Sequence, residues 1–173
     1  MLILGLDPGS LCTGYGMIDA GPGRLRYRRS GCLRPPRGDA LPQRLIALAE
    51  GLGELLRAER PDAVALESAF VGRHARPALV LGQARGALIV SVLGAGLPLY
   101  EYAPRLVKLA VVGAGGASKP QVESMVRCLL ETAPARLTAD EADALAVAVC
   151  HANRVASIAR GLELPARTSG GRR

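Results

Sequence analysis

Met1-Leu2-Ile3-Leu4-Gly5-Leu6-Asp7-Pro8-Gly9-Ser10 decides how the chain is read. Leu2 to Leu6 is apolar or Gly at every position and has the length of a strand, the pattern of a strand buried on both faces. Pro8-Gly9-Ser10 reads as a turn, so the Asp7 carboxylate stands at the end of a core strand. An unpaired charge in such a place costs several kcal/mol and needs a partner, which a cation could supply.

Downstream, Thr13 to Asp19 has strand length with two interior glycines, and Gly21-Pro22-Gly23 turns the chain into Leu25 to Leu33. Arg24, Arg26 and Arg28 alternate onto one solvated face of this third strand, completing an antiparallel meander. Leu41, Leu45, Leu48, Leu52 and Leu55 recur at helical spacing after an expected Asp39 cap. Core packing is the plain reading of that stripe, and a helix-helix dimer seam is the alternative. Ala63 to Leu66 is a second fully apolar segment, and it too ends in an acid, Glu67. Pro77 to about Val92 is predicted helical, Leu97 to Tyr102 a fifth strand, and Pro104 to Val112 a short helix. Lys119 to Leu130 and Thr138 to Asn153 are the last two predicted helices. The organisation expected is one domain over 1–155 followed by a basic, flexible tail over 156–173.

Composition bounds the function. A chain of 173 residues with 49% hydrophobic and 21% charged residues can bury a real core and leaves no room for a second catalytic domain. Its net charge is +7, carried by twenty arginines and only two lysines, Lys108 and Lys119, which favours a polyanionic partner. No basic segment and apolar core of a signal peptide precede Asp7. The longest uncharged stretch, Gly86 to Tyr100, is shorter than the roughly 18 to 20 apolar residues of a membrane span. Cys12, Cys32, Cys128 and Cys150 form no C-x-x-C pair and no zinc-like spacing with His74 or His151. A cytoplasmic protein with reduced thiols and no membrane association is expected.

The chemistry lies in the acids. Asp7 and Glu67 each end a core strand and could meet at one edge of a sheet. Asp140 and Asp143 are three apart in a predicted helix and share a face, whereas Glu141 is turned about 100° from Asp140. A lone Asp at a strand end is commonly a turn residue, and an acid in a first helical turn is commonly a response to the helix dipole. Four acids in a strand, strand, helix order point instead to a metal centre. Oxygen donors alone suit Mg²⁺, or Mn²⁺ in its place, rather than zinc. Two such ions about 4 Å apart are the arrangement that serves phosphodiester cleavage. The Walker-like string from Gly113 to Lys119 has no Gly before Lys119, and Pro120 stands where a Ser or Thr would hold Mg²⁺, so a P-loop is excluded.

Several stretches resemble the signature segments of the RuvC family. They are I-L-G-L-D-P-G-S at Ile3 to Ser10, T-G-Y-G at Thr13 to Gly16, L-G-Q-A-R-G at Leu81 to Gly86, and D-E-A-D-A-L-A at Asp140 to Ala146. V-K at Val107-Lys108 and V-V-G at Val111 to Gly113 extend the likeness, which runs from about Met1 to Asn153. The resemblance implies an α/β, RNase H-like fold with a five-stranded mixed sheet flanked by helices. It further implies catalytic, metal-binding acids at Asp7, Glu67, Asp140 and Asp143. The implied activity is resolution of four-way (Holliday) DNA junctions by paired, symmetric nicks during recombination and repair. The implied partners are a second copy of the chain and a RuvA-RuvB branch-migration complex. Lys108 and Lys119 match family lysines near the DNA backbone, and Phe70 matches an aromatic that contacts unpaired bases at the junction centre, with core packing as its alternative. Arg73 and Arg76 in the loop G-R-H-A-R-P, and Arg85 in L-G-Q-A-R-G, are further candidate DNA contacts. That loop is more Arg-rich than the family's usual pattern.

Two other classes remain beside the nuclease. D-x-G after a first strand also occurs in actin-like ATPases, whose second half this chain has no room for. A catalytically idle junction-binding or rRNA-processing relative on the same scaffold would not need all four acids.

Overall fold

The computed structural model describes residues 1–68 and 75–162. Three strands open the chain: β1 (Leu2–Asp7), β2 (Thr13–Gly21) and β3 (Arg24–Leu33). Helix α1 (Leu41–Glu59), strand β4 (Ala63–Glu67), helix α2 (Ala75–Gly94) and strand β5 (Leu99–Tyr102) follow. Helices α3 (Pro104–Val112), α4 (Lys119–Leu129) and α5 (Ala139–Ala159) complete the order. The sheet runs β3-β2-β1-β4-β5, with the first three strands antiparallel and β4 and β5 parallel to β1. A five-stranded mixed sheet with helices on both faces is the RNase H-like arrangement that the family resemblance implies.

Strand alternation divides the core in two. Leu4, Leu6, Tyr15, Met17, Val64 and Leu66 pack under α1 and α2, against Leu48, Leu52, Leu55, Leu56, Ala84, Leu88 and Val92. Ile3, Ile18, Ala65 and Tyr102 pack on the other face under α3, α4 and α5. The core reading of the leucine stripe therefore holds for Leu48, Leu52 and Leu55, while Leu45 is only partly buried against that cluster.

Several boundaries differ from the sequence expectation. The α1 cap is Ala40, not Asp39, and it makes no side-chain cap hydrogen bond. Pro42 sits in the first turn instead, where its fixed φ starts the helix and its missing N–H is not needed. Strand β5 begins at Leu99 rather than Leu97, because Pro98 has no N–H for the ladder, although its carbonyl accepts from Val64 N at 3.0 Å. Helix α2 begins at Ala75, so Pro77 falls within its first turn, and α5 continues past residue 155 to Ala159. Residues 163–173 lie outside the described residues.

The outer edge of β3 is occupied at Leu25 and Tyr27. Tyr27 N–H donates to the Glu131 carbonyl at 2.9 Å, and Glu131 N–H donates to the Leu25 carbonyl at 2.8 Å. The segment between α4 and α5 thus closes on β3 through a parallel bridge between Arg26 and Glu131.

Candidate active site

One lateral row across the sheet builds the site. Cys32 of β3 is paired with Gly14 of β2, and Gly14 with Asp7 of β1. Leu6 is paired with Leu66, so the next residues along these parallel strands, Asp7 and Glu67, emerge side by side. Glu67 is in turn paired with Tyr102 of β5. Period two places this row on the same face as Ile3 and Ala65, the face that α5 covers.

Glycine lets α5 come down onto the row. A Cβ at Gly14 would stand 2.2 Å from the Asp140 carbonyl oxygen, and one at Gly5 2.1 Å from that of Ala144. These are backbone contacts that no side-chain rotation relieves. Thr13, fully buried, holds the preceding turn by donating to the Gly9 carbonyl at 2.9 Å and accepting from Gly9 N–H at 3.3 Å. The first turn of α5 is fixed by Thr138, whose hydroxyl oxygen accepts from Glu141 N–H while Glu141 Oε2 accepts from Thr138 N–H at 2.8 Å. Glu141 also accepts from the Ser30 hydroxyl at 3.1 Å, so its carboxylate is used in capping and anchoring, away from the other acids. Burial raises the Glu141 pKa, but hydrogen bonds from Thr138 and Ser30 outweigh it and hold the group below the usual range.

The remaining acids face one another. Burial, then the negative charges of Glu67 and Asp143, push the Asp7 carboxyl up to about 7. Burial and Asp143 raise Glu67 in the same sense, opposed by Lys119, by its hydrogen bond with Asp7 and by Lys108. Lys119 Nζ donates to Asp143 Oδ2 at 2.7 Å, and this bond raises the lysine pKa. Asp140 acts on Asp7 more weakly than the other acids, and its Oδ2 accepts from the thiols of Cys12 at 3.0 Å and Cys32 at 3.7 Å. The structure thus brings Asp7, Glu67 and Asp143 into one group, with Asp140 at its margin among thiols. Carboxyls at Asp7 and Glu67 that resist ionising, with Asp143 beside them, are an oxygen-donor set that a hard divalent cation fits. A cleft of about 210 Å³ opens beside them, lined by Asp7, Glu67, Ser68, Arg85 and Pro104.

Comparison with known proteins fits this geometry. The model of the family described as crossover junction endodeoxyribonuclease RuvC matches residues 3–151. The chain belongs to the RuvC family. Among its relatives is the RuvC crossover junction endodeoxyribonuclease of Vibrio vulnificus (strain CMCP6), 53% identical over 152 residues that cover 88% of this chain and 87% of that protein. The enzyme of the same name from Chlorobaculum parvum is 49% identical over 158 residues, or 91% and 84% of the two chains. Thermus thermophilus RuvC, solved in complex with a Holliday junction substrate, superposes with a TM-score of 0.83 at 33% identity over 94% of this chain and 97% of its own. The yeast mitochondrial Holliday junction resolvase Ydc2 shares the fold, with a TM-score of 0.69 at 13% identity over 92% and 81%.

The candidate DNA contacts are spread around the acidic group. Lys119 is paired with Asp143, and Lys108 is half-buried on α3 within electrostatic reach of Glu67. Arg85 lines the cleft and is ion-paired with Glu101. Arg76 is exposed at the start of α2, beside Ser10. Phe70 and Arg73 lie outside the described residues. Sequence reasoning missed the meeting of Cys12 and Cys32 with Asp140, which only the β2–β3 register creates. It also missed Gly5 and Gly14 as contact points for α5, although a glycine near an acid-tipped strand end is a readable signal of close approach.

Proposed function

We propose that this RuvC-family endonuclease hydrolyses phosphodiester bonds at four-way DNA junctions with Asp7, Glu67, Asp140 and Asp143 holding two Mg²⁺ ions, for which Mn²⁺ can substitute. The observation that carries this reading is the meeting of two core-strand ends, Asp7 and Glu67, with Asp143 close enough for its charge to push both carboxyls up, Asp7 to about 7. When bound, the ions supply charge that neutralises the carboxylates and stabilises the negative charge developing on the cleaved phosphate. Asp7, Glu67 and Asp143 would hold them, with Asp140 a further oxygen donor if its carboxylate turned from Cys12. Lys119, paired with Asp143 in this structure, would become available to a backbone phosphate if bound ions took its place on Asp143, which would couple ion binding to DNA binding. Lys108, Arg76 and Arg85 add to the cationic rim, and Phe70 and Arg73 are assigned to junction contact on the family pattern alone.

Paired nicks of like symmetry require two copies of the site, hence a homodimer. Helix α2 supports this. Its residues Leu79, Val90 and Leu93 are 65%, 71% and 47% exposed and fall on one helical stripe with Gly82 and Gly86, where an added Cβ would meet nothing. An open apolar stripe with glycines at its centre suits the close approach of a second α2. Cytoplasmic action beside a RuvA-RuvB branch-migration complex, and a basic segment after α5 that adds nonspecific DNA affinity, complete the proposal.

The test is single-turnover nicking of a labelled four-way junction with Mg²⁺, compared with a linear duplex of the same arm sequence. Paired nicks confined to the junction are expected. Equal cleavage of the duplex, or cleavage unaffected by chelation of divalent ions, overturns the reading.

A further inference from the structure

Cys12, Cys32 and Asp140 come from three distant parts of the sequence, yet one ligand atom from each lies within 4.8 Å of the other two. Cys12 follows the turn after β1, Cys32 lies on β3 opposite Gly14, and Asp140 sits above Gly14 because that residue has no Cβ. Both thiols converge on the same carboxylate oxygen, at 3.0 and 3.7 Å. A tetrahedral ion with metal–sulfur bonds of about 2.3 Å and a metal–oxygen bond of about 2.0 to 2.2 Å sets its ligand atoms roughly 3.5 to 3.8 Å apart. The Cys32–Asp140 separation of 3.7 Å already matches that spacing and the Cys12–Asp140 separation of 3.0 Å needs only a small outward shift, and all three residues are half-buried rather than sealed, so an ion can enter.

We propose that Cys12, Cys32 and Asp140 form a second cation site, selective for thiophilic divalent ions of the zinc and cadmium class, and that filling it inhibits the nuclease. Binding replaces the two thiol protons: one M²⁺ adds to two S–H groups and one carboxylate, two M–S bonds and one M–O bond form, and two protons pass to solvent. A water completes the tetrahedron. Hard Mg²⁺ is disfavoured by the sulfur donors, so the two sites differ in the ions they accept although they share a residue. Inhibition follows from that sharing. A carboxylate held by an ion on the thiol side cannot turn toward Asp7, Glu67 and Asp143. This step rests on the proposed role of Asp140 in the nuclease centre, whereas the existence of the site does not.

The experiment uses the full chain with exposed Cys128 changed to Ser, which removes a competing thiol, and Cd²⁺ as the probe. Ultraviolet thiolate-to-cadmium charge-transfer absorption is expected to saturate at one equivalent per chain and to disappear in both Cys12→Ser and Cys32→Ser. In the same preparations, one equivalent of Zn²⁺ in the presence of excess Mg²⁺ is expected to slow junction nicking at least about tenfold. The Cys12→Ser/Cys32→Ser variant should nick normally with Mg²⁺ and resist Zn²⁺. Absence of the cadmium band, or its survival in either serine variant, overturns the site. A band without Zn²⁺ inhibition overturns the regulatory half. Failure to nick with Mg²⁺ alone, with the band intact, counts against the nuclease assignment and leaves the thiophilic site standing.

Discussion

The two faces of the sheet are built on opposite rules. Under α1 and α2, large side chains fill the space: Leu48 and Leu52 meet Leu4, Leu6 and Met17, and nothing polar is asked of them. Under α5, glycines in β1 and β2 let a helix backbone rest on the sheet, and the titratable groups Asp7, Glu67, Asp140, Asp143 and His151 cluster on that side. The first face stores stability and can be repacked. The second places charges with backbone accuracy and gives up stability to do so, because like charges are held together away from water.

The sharpest way to break this contrast is Asp7→Asn. Cleavage is expected to fall by more than about a thousandfold, some 4 kcal/mol of transition-state stabilisation, while junction affinity, set by cationic residues, changes little. The same variant should be more stable than the parent in the absence of divalent ions. A carboxyl raised from its ordinary value to about 7 in the folded state costs stability as pH climbs from about 4 through 7, and the amide removes that cost. Melting temperatures at pH 8 in chelator, together with single-turnover rates, check both halves. A variant that melts lower than the parent would show that the face is not strained in this way.

Truncation on the apolar face tests the other rule. Leu52→Ala should cost about 4 kcal/mol by denaturant titration and leave the rate per folded molecule nearly intact. Gly5→Ala, adding one methyl group on the α5 face, should cost about 3 kcal/mol and depress the rate as well, since α5 must lift and carry Asp143 with it. If Gly5→Ala lowers stability alone, the acids tolerate helix displacement and the proposed accuracy is not needed.

Burial of His151 sharpens the comparison through pH. The imidazole is 1% exposed, bonded through Nδ1 to the Tyr102 hydroxyl at 2.7 Å, and pushed down to about 4 by burial and by Arg154. A depressed histidine leaves the unfolded chain to take up the proton, so its contribution is full above about 6.5 and is lost as pH falls toward 4, on the order of 3 kcal/mol. Asp7 acts in the opposite sense over part of that window. Urea titrations of Asp7→Asn between pH 4 and 7 should therefore expose the His151 slope, and a level profile would rule out a buried neutral imidazole. The smallest effect expected is that of Glu141→Gln. Its amide can still accept from the Thr138 backbone, so a stability loss of about 1 kcal/mol or less and an unchanged nicking rate are anticipated.

Where the sequence was legible, a local pattern carried the information. An unbroken apolar run ending in Asp7, repeated at Ala63 to Glu67, gave both central strands and the side-by-side acids. The three-residue spacing of Asp140 and Asp143 put both on α5 near the strand acids, but only Asp143 joins Asp7 and Glu67, while Asp140 turns to Cys12 and Cys32. Glu141 was turned away as helical periodicity required, and it is held there by the cap. The Asp39 cap failed because Asp, though a favoured cap, competed with Pro42, whose ring starts the helix without a side-chain bond. The engagement of Asp140 with two thiols was illegible for a different reason. Residues 12, 32 and 140 meet only through strand register and a missing Cβ, and neither has a signature along the chain.

The bridge that Glu131 makes to the outer edge of β3 also bears on how such a chain survives in a crowded solution. Exposed edge strands recruit other chains by backbone hydrogen bonding, the first step toward disordered aggregates. Here the backbone groups of Leu25 and Tyr27 that would offer that template are already taken by Glu131. The arginines of β3 repel a like copy besides. Shortening the α4–α5 connector so that Glu131 no longer reaches β3 would leave the fold its core and its acids but free the edge backbone groups at Leu25 and Tyr27, and turbidity on standing, rather than loss of cleavage, would be the first symptom.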